Sequence, residues 1–179
     1  MQAPTTVHLV VTIDFGLVFC PFDRLSLVGY ANANWGLDFD DHWSTTGYCV
    51  YFRHTPVSWS SKKQQAEYRS LVAATSDVTW LISLLQELHL CSADLPSIWC
   101  DNSSAVVVVA NLVLHFKFKH VELDLFFVLE KVANGSLVVG EVLACNQAAD
   151  ILTKPLSILS FVRFHNFLRI LPVEKLGEC

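Results

Sequence analysis

The chain has 179 residues, enough for one domain with a real core and short for two. It is 53% hydrophobic, which excludes a disordered chain, and only 16% charged, which predicts poor solubility or a missing partner surface. Twelve Lys and Arg against 17 Asp and Glu give a net charge of −5, and charge alone argues against nucleic acid, because phosphate neutralisation needs clustered cations.

Residues 1–24 read as irregular, PTTVHL followed by VTIDFGLVF. LSLVGYA (25–31) reads as a buried strand and runs into two amides, Asn32 and Asn34, ahead of Trp35. Asn is a poor strand former, so the pair marks a turn or a polar site. DFDDHWSTTG (38–47) is a polar turn region, YCVYF (48–52) alternates as a second strand, and Pro56 leads VSWSS as a third. Three strands this close predict an antiparallel meander.

QQAEYRSLVAATSDVTWLISLLQELHL (64–90) reads as a helix, with Leu71, Ala74, Val78, Leu81, Leu84, Leu85 and Leu88 at spacings of three and four and Asp77 as the polar exception. SIWC (97–100) is a fourth strand, closed by Asp101. Asn102, Ser103 and Ser104 are cap-type residues before AVVVVANLVL, which reads as a short helix. KHVELDLFFVLEKVANG is a further helix with a Gly135 stop, and SLVVGEVLA (136–144) a fifth strand. Asn146 is placed to cap NQAADILTK, which Pro155 ends; beyond it only FVRFHNFLRI shows a pattern. The order β-β-β-α-β-α-α-β-α predicts an α/β fold. Its mixed five-stranded sheet has three antiparallel strands, then two parallel, with helices on its faces.

No segment reads as a membrane span, since Asp14 interrupts the first apolar run and SAVVVVANLVL is too short, and the N-terminus lacks a signal-peptide pattern. The expected location is therefore intracellular, in cytoplasm or nucleus. Cysteines 20, 49, 91, 100, 145 and 179 include no Cys-x-x-Cys pair and read as reduced thiols. His115, His120 and Glu122 do not share a helix face at their spacing and read as surface or packing residues.

Three carboxylates stand where such a sheet can gather them. Asp101 ends the fourth strand, Glu67 lies near the start of the long helix, and Asp150 lies in the helix after the fifth strand. If the first and fourth strands are neighbours, about 4.8 Å apart, residue 32 faces Asp101. Clustered carboxylates stay ionised only beside a cation, and an oxygen-rich set favours Mg²⁺ or Mn²⁺. Two such ions can activate water and stabilise the leaving oxygen of a phosphodiester.

LVGYANANWG, WSTTGYCVYF, VSWSSKKQ, AEYRSLVAATSDVTWL, WCDNSSAV, KHVELD and NQAADILTKPLS, in this order, resemble the ribonuclease H domain of copia-type LTR-retrotransposon polyproteins. The resemblance covers about residues 25–160; residues 1–24 resemble the connection after the reverse transcriptase, and 161–179 form a C-terminal tail. It implies a ribonuclease H-like mixed sheet and Mg²⁺- or Mn²⁺-dependent cleavage of the RNA strand in RNA–DNA hybrids, with a reverse transcriptase domain as neighbour in a longer polyprotein. Hybrids are recognised mainly through shape, backbone and 2′-hydroxyl contacts. The implied catalytic and metal-binding positions are Asn32, Glu67, Asp101 and Asp150.

The departures from the family pattern imply impaired hydrolysis. Where the family has Y-S-D-A-D-W, this chain has Tyr30, Ala31, Asn32, Ala33, Asn34 and Trp35, so the metal-bridging acid is an amide, and Asp38, Asp40 and Asp41 are poorly placed to replace it. A polar segment before AEYR is missing, which removes N-cap candidates for the long helix and threatens the placement of Glu67. His42 and Trp43 stand where arginines are usual, and Phe118, Phe126 and Leu129 where Thr, His and Arg are usual. A non-catalytic remnant that binds nucleic acid or protein is the alternative reading.

Overall fold

The computed structural model describes residues 15–17, 25–34, 44–64, 68–90, 94–103, 106, 109, 123–168 and 170–172. Its main sheet is built from β2 (Leu27–Asn34), β3 (Ser44–Phe52), β4 (Thr55–Gln64), β5 (Ser97–Cys100) and β6 (Val138–Glu141), with β1 (Phe15–Leu17) outside it. The spatial order is β4-β3-β2-β5-β6. β2, β3 and β4 pair antiparallel, and β5 and β6 join parallel on the other side of β2. This is the mixed five-stranded sheet expected from the sequence, three antiparallel strands then two parallel, including the adjacency of β2 and β5.

Alternation along the strands sorts the core into two layers, because successive side chains point to opposite faces. Leu27 and Ala31 of β2, Val50 of β3 and Ile98 and Cys100 of β5 pack beneath α1 (Arg69–Glu87) and α2 (Leu123–Ala133) through Leu71, Ala74, Val78, Leu125, Val128 and Leu129. On the opposite face Cys49 and Tyr51 pack with Ala148 and Ala149, just before α3 (Asp150–Thr153), and with Leu152 and Leu168. Burial pushes the Cys49 thiol up to about 12, so it is an inert core group. Among the described residues Cys49, Cys100 and Cys145 form no disulfide.

Asp77, the polar exception on the long helix, is explained by the sheet beneath it. Tyr48 Oη donates to Asp77 Oδ2 at 2.8 Å, and Ser58 Oγ donates to the same oxygen. The carboxylate thus ties α1 to β3 and β4 through charge-assisted hydrogen bonds.

Several local expectations are corrected. The third strand is longer than VSWSS, because its pairing with β3 continues to Ser44–Gln64. The long helix consequently begins at Arg69 rather than Gln64. Its N-cap, Tyr68, makes no side-chain cap bond and its first turn holds no acid, in line with the missing polar approach. Asn146 does not cap the helix after β6. It ends a 3₁₀ turn, Ala144–Asn146, and its Oδ1 accepts from Arg163 Nη2 at 2.8 Å, while Ala149 holds the cap position.

The N-terminal stretch is not wholly irregular: Phe15–Leu17 pairs antiparallel with β7 (Ile170–Pro172), a partner at the far end of the chain that local pattern does not reveal. FVRFHNFLRI supplies most of α4 (Ile158–Phe167) and opens β7. Ser103, Val106 and Val109 are helical, and the Val106 amide donates to the Asn102 carbonyl at 3.1 Å. Glu67, Asp38, Asp40, Asp41, His42, Trp43, His115, Phe118, His120 and Glu122 lie outside the described residues. Leu129 is buried in the core, whereas Phe126 is exposed. Among the described residues no helix is long and apolar enough to cross a membrane.

Candidate functional site

The site lies where β5 ends beside β2, which runs on to Asn34 in its pairing with β3. The last rung that β2 shares with β5 is Ala31–Cys100, so Asn32 and Asp101 stand one step beyond it, on the face that carries α3. Asn32 is 1% exposed, so its amide must find partners within the protein. Its Nδ2 donates to Asp150 Oδ1 at 2.5 Å and to Thr153 Oγ1 at 3.0 Å. The reversed amide would set oxygen against carboxylate, so the neighbours fix this orientation.

A glycine lets Asp150 come this close. Gly47 is the cross-strand partner of Asn32, and a Cβ there would lie 2.7 Å from Thr153 Cγ2 and 3.0 Å from Leu152 Cβ. Only a residue without a side chain admits the α3 turn onto β3 at this distance. Ser61 Oγ of β4 donates to the Leu152 carbonyl at 2.7 Å and fastens the turn from the other side. Gln147, fully buried, donates from Nε2 to the Ala31 carbonyl at 3.0 Å and accepts from the Ala149 amide at 3.2 Å. Its side chain thus stitches the approach to α3 onto β2.

Lys154 completes the pocket. It lies four residues after Asp150, on the same side of the turn, with Nζ 2.9 Å from Asp150 Oδ1 and 3.9 Å from Asp101 Oδ2. The Asp101 carboxyl is pushed above the usual range, chiefly by burial, with the Asp150 charge adding to the rise. The Lys154 ammonium and a hydrogen bond from Gln147 pull the other way without cancelling it.

The structure therefore brings together three of the four expected site positions, Asn32, Asp101 and Asp150, while Glu67 lies outside the described residues. Among the described residues no group of three or more His, Cys, Asp or Glu gathers. The groups present are two carboxylates, one amide that presents its N–H donors, and an ammonium within reach of both acids. Among the described residues this set does not fit a two-metal centre: it offers two carboxylates, and an ammonium already stands at both. What it does support is a closed polar network that holds α3 against the sheet.

Sequence reasoning missed Gly47, Gln147, Thr153 and Lys154. The signal for Lys154 was its i,i+4 spacing from Asp150, inside the stretch ADILTKPL. Gly47 and Gln147 carried no comparable signal, since their roles come from a strand and a turn that meet only in the fold.

No family model matches the chain. It is 41% identical to the retrovirus-related Pol polyprotein from transposon RE2 of Arabidopsis thaliana, over 93% of this chain and 12% of that protein. It is 42% identical to the corresponding polyprotein from transposon RE1, over 92% and 12%. The Pol polyprotein from transposon TNT 1-94 of Nicotiana tabacum is 32% identical, over 72% of this chain and 10% of its own. Among solved structures, the N-terminal RNase H domain of rv2228c from Mycobacterium tuberculosis is similar with a TM-score of 0.49 and 15% identity, over 80% of this chain and 98% of that one. The chain spans about an eighth of the length of the polyproteins it matches. It is homologous, over most of its length, to one segment of copia-type retrotransposon Pol polyproteins.

Proposed function

We infer that the chain is the ribonuclease H-like portion of a retrotransposon polyprotein whose hydrolytic centre is silent or nearly so. The activity that the resemblance implies is cleavage of the RNA strand in RNA–DNA hybrids with two divalent cations, held by positions 32, 67, 101 and 150. The observation that carries the reading is Asn32: a buried amide on β2, one step past its last rung with β5, donates to Asp150, where the family pattern has an acid. An amide oxygen can ligate a hard cation, but it brings no charge. Loss of about 4 kcal/mol of transition-state stabilisation slows a reaction about a thousandfold, and removing the charge that bridges two divalent ions is a change of that order.

The test is cleavage of a labelled RNA–DNA hybrid in Mg²⁺ and in Mn²⁺. The wild-type chain is expected to give at most trace hydrolysis. Asn32→Asp is expected to raise it where Glu67 reaches the same pocket. Robust wild-type cleavage that survives Asp101→Asn would sink both the silent centre and the residue assignment. Salt-dependent hybrid binding without cleavage would favour a purely binding role for the fold.

A further inference from the structure

The acidic pocket contains its own cation. Lys154 Nζ lies 2.9 Å from Asp150 Oδ1 and 3.9 Å from Asp101 Oδ2. Its side chain is 30% exposed, against 19% for Asp101 and 10% for Asp150, so the ammonium is the partner nearest solvent. On the buried side, the Asn32 amide donates to the same Asp150 oxygen. A carboxylate oxygen that accepts from an ammonium and an amide has its lone pairs directed at both. A divalent ion entering here has to displace the ammonium or sit beside it, and like charges a few ångströms apart in a partly buried site repel strongly. Asn32 sharpens this. A carboxylate at position 32 would set three acids against one lysine, whereas the amide leaves two.

We propose that Lys154 is the standing counter-ion of this pocket, holding α3 to the end of β5 beside β2 and keeping divalent cations away from Asp101 and Asp150. The proposal deepens the reading of a silent centre. Its readout is ion binding rather than hydrolysis, so each fails on its own result.

The experiment is a Mn²⁺ titration of the full chain, followed by loss of the free-ion electron paramagnetic resonance signal and, in parallel, by thermal melting. The wild-type chain is expected to leave the free-ion signal intact into the millimolar range and to melt at the same temperature with and without Mn²⁺. Lys154→Met, which keeps the stem and removes the charge, is expected to melt about 3 °C lower. It should also bind Mn²⁺ at least about tenfold more tightly and regain melting temperature as it does so. Lys154→Arg is expected to behave as wild type, because the charge and its reach are retained. A lysine with a merely structural role would lower the melting temperature without any gain in Mn²⁺ binding, and that result overturns the proposal. Should Lys154→Met fail to fold, the wild-type titration decides alone: tight Mn²⁺ binding overturns it, and an unaltered signal and melt support it.

Discussion

At the scale of single residues, the site is governed by which buried group is satisfied and by whom. Asn32 supplies Asp150 with a buried donor, so Asn32→Ala removes the donor on the buried side, leaves the Lys154 ammonium, and should cost about 1–3 kcal/mol. Urea denaturation would show this as a lower midpoint at unchanged slope. Asp101 gives a pH signature. Its folded-state carboxyl is raised above 3.8, mainly by burial, so its contribution to stability is fully present below that value and is lost as pH rises through the folded-state value. Asp101→Asn, uncharged at every pH, should therefore melt above the wild type at pH 7 and draw level below about pH 3.8. A difference that stayed constant across that window would contradict the burial argument. At this scale the sequence was informative about the acids and their amide replacement, because chain position after a strand or within a motif marks them. It did not reveal which group neutralises them, since Lys154 reads as an ordinary surface lysine until the turn after Asp150 is seen to aim it inward.

At the scale of elements, two contacts set how helices meet the sheet. Gly47 is where α3 touches β3, and Gly47→Ala puts a methyl group against Thr153 and Leu152. The turn must lift, which should cost about 1–3 kcal/mol and lengthen the Asn32–Asp150 hydrogen bond. Chemical denaturation gives the first quantity, and the exchange rate of the Asp150 amide, whose bond to the Gln147 carbonyl secures the turn, reports the second. On the other face, Asp77→Ala leaves the Tyr48 and Ser58 hydroxyls without their shared acceptor and should cost about 1–3 kcal/mol. Strands such as SIWC were readable because their residue types and boundaries agree locally. The start of α1 was not, because β4 is held extended to Gln64 by pairing with Ser44, a partner that propensity does not contain. Likewise β1 exists only through β7.

At the scale of the whole molecule, the sheet order followed from the sequence because an antiparallel meander with crossovers leaves few alternatives. The low charge also has a whole-molecule expression. Trp80, Leu88, Leu90 and Leu95 are exposed along the outer side of α1 and the segment after it. Few charges stand against such a surface, so sedimentation velocity is expected to show association that grows with concentration and weakens in Trp80→Lys. A species of constant mass over the whole concentration range would remove this expectation.

The pairing of β1 with β7 has a consequence for how such a unit sits in a longer chain. Phe15 lies opposite Pro172, so these two positions, far apart in the chain, are cross-strand neighbours. A segment with adjoining entry and exit can be spliced into a host sequence without prising the host apart, and its two flanks can be fused by a short flexible bridge. A circular permutant closed in this way and opened at the Arg53–His54 turn, between β3 and β4, should therefore keep the wild-type circular dichroism spectrum.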